Sequence, residues 1–254
     1  MNLQRVKGWH DLTVSEWKEL RFINISDFDS VTDYQIERIS VVLDIDSEAD
    51  FWDTITVKEF SNLVEQFKWL DGQPKREPSE KIGEYFYKGL KSLTLAEYID
   101  LEHWHVEGFV ENIERIAAIM YRKQKVGEWG EKIVEPYNKY NRAERAEEFK
   151  DLKINEIYGV VVEFLNFRHN FHKRYESLFN DDESESDDEE LTEEERITLA
   201  GEIQKDKEKK QKRWAWEKLI FDMCDGDITK YESVIKLPLI FVFNTLSMRV
   251  DLKV

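Results

Sequence analysis

The chain has 254 residues and a formal net charge of −17, with 41% hydrophobic residues, 13% aromatic residues and eight Trp. That apolar content excludes global disorder, and the negative field disfavours nonspecific contact with nucleic acid or with an anionic membrane surface. Ten Gly and four Pro are few for an all-β or dinucleotide-binding fold, and the single cysteine, Cys224, excludes an internal disulfide and a multi-cysteine zinc site.

In chain order, the start from Met1 to Lys7 has no apolar run, so no leader peptide is expected. The first strong pattern is Leu12-Thr13-Val14-Ser15-Glu16-Trp17, which returns as Leu93-Thr94-Leu95-Ala96-Glu97-Tyr98. Ile36-Glu37-Arg38-Ile39 then returns as Ile113-Glu114-Arg115-Ile116, and 52–70 aligns with 149–167. Three segments matching in the same order predict a duplicated helical module. The offset between copies widens before the third segment, so the second copy carries an insertion at about 123–146. With Gly127, Gly130 and Pro136, that insertion is expected to be irregular before a charged helical stretch from about Arg142.

Thr13 with Glu16, Thr56 with Glu59 and Thr94 with Glu97 have capping-box spacing, in which the Thr hydroxyl and the Glu carboxylate each satisfy a free amide. Apolar residues at 60, 63, 64 and 67, and again at 157, 160, 161 and 164, recur with helical period. Phe109, Ile113, Ile116 and Met120 give another such stripe. The expected fold is mainly α, a duplicated small helical module joined by linkers, with a short C-terminal helical segment. The expected divisions are repeat 1 at 9–71, a polar linker at 72–80, repeat 2 at 81–179, an acidic linker at 180–195 and the C-terminal segment at 196–254.

The block 181–195 is nearly all acidic, with Ser184 and Ser186 among the carboxylates. It reads as a solvated linker or as an acidic partner-binding arm. A charged helix is expected to follow as far as Lys212. Trp216, Leu219, Ile220 and Met223 form an apolar face, and 234–246 is strongly apolar, faintly echoing the end of each repeat. Such a segment either docks on the body or binds a partner, which makes Trp216, Leu219, Ile220, Leu237, Leu239, Phe241 and Phe243 the candidate partner-binding residues. The apolar run 237–243 contains Pro238 and is too short to span a bilayer.

Signals for chemistry are sparse. His103 and His105 are two apart and point to different sides of a helix; His169 and His172 share a face but lack a convincing third ligand. Cys224 reads as a core residue. No phosphate loop, nucleophile elbow or dinucleotide fingerprint occurs. No catalytic, cofactor or metal residue is assigned, and a non-enzymatic protein is expected.

The phrase Leu93 to Leu101, the helix Ile113 to Arg122 and the opening Phe149-Lys150-Asp151-Leu152 together resemble proteins of bacteriophage tail and virion modules, of the tail assembly chaperone kind. The closing segments Trp216 to Ile220, Gly226 to Thr229 and Lys236 to Leu239 resemble the short C-terminal part of such proteins. The resemblance implies a helper in the host cytoplasm that coats the tape-measure protein, recruits tail-tube subunits and needs no cofactor. Homo-oligomerisation is compatible with that role; nucleic acid and membrane are not expected partners. Two other readings stand beside it: a structural component of the virion neck, tail or packaged interior, and a protein-binding adaptor modified at Ser184 and Ser186.

Overall fold

The computed structural model describes residues 6–179 and 215–252, and these are mainly helical. The expectations for the acidic linker, the charged helix after it, Ser184 and Ser186 lie outside the described residues. The chain divides into two compact units. Unit 1 comprises the residues up to 91 together with 101–170, and unit 2 comprises 92–100 together with the residues from 171 onward.

Unit 1 holds α1 (Val14–Phe22), α2 (Val31–Leu43), α3 (Asp50–Thr54), α4 (Val57–Gln66), α6 (Ile113–Met120) and α7 (Lys139–Phe149). α5 (Leu95–Val106) and α8 (Ile154–Arg174) have residues in both ranges. Unit 2 adds α9 (Glu176–Phe179), α10 (residues 215–223), α11 (Tyr231–Ile235) and α12 (Leu239–Leu252).

All three capping boxes form. Glu16 N donates to Thr13 Oγ1 at 3.2 Å while Thr13 N donates to the Glu16 carboxylate at 2.6 Å, and the pairs at 56/59 and 94/97 repeat this. Each fixes a helix start, an effect of about 1 kcal/mol.

The stretch expected to be irregular holds ordered β-structure. β1 (Lys81–Ile82), β2 (Tyr85–Tyr87), β3 (Tyr121–Val126) and β4 (Lys132–Val134) form one antiparallel sheet in that order. Tyr87 pairs with Tyr121, and Val126 pairs with Lys132. Gly127 and Gly130, read from sequence as breakers, instead close the β3–β4 hairpin. Gly127 N donates to Glu131 O at 2.8 Å, and Gly130 takes a φ of +80°, which a side chain would strain.

α6 is the centre of unit 1. Ile113, Ile116, Ala117, Ala118, Ile119 and Met120 are all 0% exposed, so the expected one-sided stripe is instead a helix buried on nearly every side. Glu114, also buried, pairs with Lys18 of α1. The helix passes directly into β3, leaving its last carbonyls inside the protein, where water cannot serve them. Buried Arg145 of α7 serves two of them: one nitrogen donates to Ala118 O at 2.8 Å and to Tyr121 O at 2.6 Å, and another pairs with Glu135. Arg122 donates to Ile119 O and to Glu135 O.

α8 also depends on a close approach. A Cβ on Gly159 would lie 2.2 Å from Glu77 O and 2.6 Å from Pro78 N, so only glycine lets the 77–78 backbone cross this helix.

The two expected copies, 9–71 and 81–179, do not form two separate units. Residues on both sides of the expected boundary share unit 1, whereas the Leu93–Leu95 opening belongs with the C-terminal residues. The physical reason is the pairing of helix starts described below.

Two variants test this description. Arg145→Met removes the ion pair to Glu135 and the donor to two buried carbonyls, and is expected to cost about 3 kcal/mol in urea denaturation. Gly159→Ala is also expected to lower the urea midpoint, although alanine is the better helix former by about 1 kcal/mol; an unchanged midpoint would contradict the close crossing.

Candidate interaction surface

Two helix starts in this protein are joined to other helix starts by a short antiparallel bridge. In unit 1, Val14 N donates to Leu152 O and Ile154 N to Leu12 O, both at 2.9 Å, with Thr13 opposite Lys153. In unit 2, Leu95 N donates to Leu237 O at 3.0 Å and Leu239 N to Leu93 O at 2.9 Å, with Thr94 opposite Pro238. The middle residue gives no backbone hydrogen bond to the bridge, which is why proline is tolerated there. The flanking side chains supply the energy. Leu12, Val14, Leu95 and Ile154 are 0% exposed and Leu93 and Leu239 are 1% exposed, each burial worth roughly 2 kcal/mol.

This pairing decides the fate of the residues expected to bind a partner. Ile220, Leu239 and Phe243 are buried inside unit 2 at 2%, 1% and 1% exposure, so they are core, not contact surface. Phe243 joins an aromatic cluster with Phe171 (centroids 4.6 Å apart), Tyr175 (5.3 Å) and Tyr98 (6.3 Å). Trp216 packs its ring edge-on to Tyr98 at 5.8 Å, and Leu219 and Leu237 are half-buried. Of the seven, only Phe241 is well exposed, at 56%. The structure therefore places three of the seven in the core of unit 2 and leaves three more half-buried.

Phe221 and Ile228 are exposed elsewhere in unit 2, at 53% and 75%, and a further exposed apolar stripe lies on the other side of α12. Phe241, Met248 and Leu252 follow one another at i, i+7 and i+11, opposite Leu239, Val242 and Phe243, and all three are more than half exposed. Thr245 continues the stripe, and Arg249 and Asp251 are the only charges on α12. Sequence reading missed Met248 and Leu252, although a helix apolar on two faces could have been seen in the spacing 241, 245, 248 and 252.

Unit 1 carries further exposed apolar residues, among them Val57 (84%), Val126 (78%) and Val106 (75%). Trp129 at the tip of the β3–β4 hairpin is 92% exposed. A groove of about 400 Å³ beside α3 and α4 is floored by Phe51, Ile55 and Leu63 and walled by Glu59, Asn62 and Gln66.

His103, His172 and His105 have packing roles, whereas His10 and His169 are at the surface. His103 stacks edge-on to Trp104 at 4.5 Å, and His172 Nε2 lies 3.0 Å from the Tyr98 hydroxyl. His105 packs near Phe164, its Nδ1 buried without a hydrogen-bond partner. Burial first, and the Arg168 charge second, hold His105 below the usual histidine range; Glu102 opposes them. Glu102 itself is buried and held by two hydrogen bonds from Arg168 Nε. Burial also raises the Tyr87 and Tyr121 hydroxyls, and the latter donates to Ser79 O at 2.7 Å. Cys224 is buried. Among the described residues no group of three His, Cys, Asp or Glu is placed to hold a metal ion, and no helix is long and apolar enough to cross a membrane.

No protein-family model, curated protein or solved structure matches this chain.

His105 gives a pH prediction. Its folded value is depressed, so the unfolded chain binds the proton more readily and acid favours unfolding. Stability is expected to be full above the ordinary histidine value of about 6.5 and to fall as pH drops below it. His105→Gln should flatten that part of the denaturation-midpoint profile; an unaltered slope between the two proteins would contradict it.

Proposed function

We propose that the chain is a non-enzymatic assembly protein of a bacteriophage tail, binding tape-measure or tail-tube proteins as a tail assembly chaperone. The observation that supports this reading best is the outer stripe of α12, where Phe241, Met248 and Leu252 are more than half exposed. An apolar helical stripe is the surface that a client helix covers. The net charge of −17 supports the same reading, because like-charged complexes repel one another while their apolar surfaces are exposed. The resemblance of Leu93 to Leu101 and of the closing segments to tail assembly chaperones supplies the client.

The host cytoplasm is the compartment this role requires. A structural component of the virion neck or tail would use the same kind of stripe in a permanent contact. The distinction lies in the mature particle, from which a chaperone is absent and in which a structural protein is present at fixed copy number.

The test is a tagged pull-down from the native expressing cells. The tape-measure or tube protein is expected to co-purify, and Phe241→Asp with Met248→Asp is expected to reduce its recovery at least about tenfold, a loss of about 1.4 kcal/mol. The melting temperature should change little, because both side chains already face water. Recovery of neck or capsid proteins, with the chain present in finished particles, would favour the structural reading.

A further inference from the structure

The bridge that joins helix starts is used twice, yet the chain contains a third start of the same form. Aligned on the capping threonine, Leu12-Thr13-Val14, Ile55-Thr56-Val57 and Leu93-Thr94-Leu95 each continue to a Glu three residues after the threonine, an aromatic at four (Trp17, Phe60, Tyr98) and a Leu at seven (Leu20, Leu63, Leu101). All three close the capping box. Only Ile55-Thr56-Val57 is left open. Val57 is 84% exposed where Val14 and Leu95 are 0% exposed, and Phe60 is half-buried where Trp17 and Tyr98 are buried. Val57 N and Ile55 O, the atoms that make the bridge in the other two cases, have no partner among the described residues.

We propose that Ile55–Val57 is a docking site for a partner protein, taking an extended apolar-x-apolar tripeptide that runs directly into an amphipathic helix. The chain's own bridged segments define that chemistry. Leu152-Lys153-Ile154 opens α8 and Leu237-Pro238-Leu239 opens α12, and each offers one carbonyl and one amide two residues apart. The incoming carbonyl accepts from Val57 N and the incoming amide donates to Ile55 O. The partner's helix then lies along the groove floored by Phe51, Ile55 and Leu63, which adjoins the open segment.

Charge selects among occupants. Glu59 lines the groove, Asp50 and Asp53 are exposed on α3 next to its lining residues Phe51 and Thr54, and Lys58 is the one cation between them in sequence. A basic helix complements that rim. A second copy of this chain would bring its own Asp50, Asp53 and Glu59 against the same three carboxylates. The capping box engages Thr56 N and Glu59 N and leaves Val57 N, the atom that bridges in the other two starts, for an incoming backbone carbonyl. It goes beyond the proposed function and uses none of the α12 stripe.

The probe is a fluorescein-labelled synthetic peptide copying residues 151–170, with Glu163→Lys and Asn166→Lys to supply positive charge. Its binding to the full chain is followed by anisotropy. The comparison protein is Val57→Pro, which removes the bridging N–H while proline remains acceptable at a first helical position. Circular dichroism checks that its helix content is unchanged. Saturable binding is expected, weakened at least about tenfold by Val57→Pro, as loss of one well-placed hydrogen bond with its apolar contact predicts. Absence of binding to the parent chain overturns the proposal, as does equal binding to both proteins, which would put the peptide elsewhere. Sedimentation showing a dimer of the parent chain that Val57→Pro dissociates would also overturn it, making a second copy the occupant. The pull-down on the α12 stripe is read independently, so either result stands without the other.

Discussion

Unit 1 depends on a helix end that is buried. α6 turns into β3 without a loop, so the carbonyls of Ala118, Ile119 and Tyr121 have neither a next turn nor solvent. An unserved buried carbonyl costs about 1–3 kcal/mol, and three together would rival the net stability of a small domain. Arg145 and Arg122 meet this demand with fixed forks of donors, and a positive charge suits the carbonyl end of a helix dipole. Glu135 then ties both guanidiniums to the chain leaving β4. The hairpin, α6 and α7 are thus bound together through polar atoms inside an apolar setting. This explains why the insertion is ordered: its Glu135 balances the charge that the helix end requires.

Around that centre, long-range order comes from joining helix starts. A capping box holds the threonine itself extended, as at Thr13 and Thr56, so the residues on either side of it are spaced for an antiparallel bridge. The box thus has two uses, ending a helix cleanly and offering an edge. Leu12–Val14 reaches Leu152–Ile154, and Leu93–Leu95 reaches Leu237–Leu239, in both cases a helix start more than a hundred residues further along. With such distant pairing, the compact units cut across the repeat boundaries, although Trp9 still meets Trp69 within 9–71.

Local features were legible in the sequence because local physics sets them. The Thr–Glu spacing gave all three helix starts, and the stripe at 157, 160, 161 and 164 gave the buried face of α8. The mainly helical class followed from the same signals. The sheet was missed because β1 and β2 are only two and three residues long and the glycines of the β3–β4 loop also mark irregular chain. The partner-binding residues were chosen for hydrophobicity, which does not distinguish the inner face of α12 from its outer face. Ile220, Leu239 and Phe243 proved to be core, while Met248 and Leu252 on the outer face were passed over. Arg145 carried no sequence signal: in a charged helix it resembles any surface arginine until the carbonyls opposite it are known.

The exposed apolar groups and the strong net charge belong to one physical argument. Phe241, Met248, Leu252, Val57 and Trp129 are each at least half exposed, in a chain carrying seventeen excess negative charges. Apolar contact acts only at short range and does not choose its partner, whereas the charge acts over roughly 8–10 Å at physiological salt. Two copies approaching one another meet repulsion before their stripes can touch. A basic segment is drawn in over the same distance and then reaches an apolar seat. On the proposed reading, the acidic composition would set the sign of a partner for these surfaces, while the spacing of side chains on α12 and at Ile55–Val57 would set its shape.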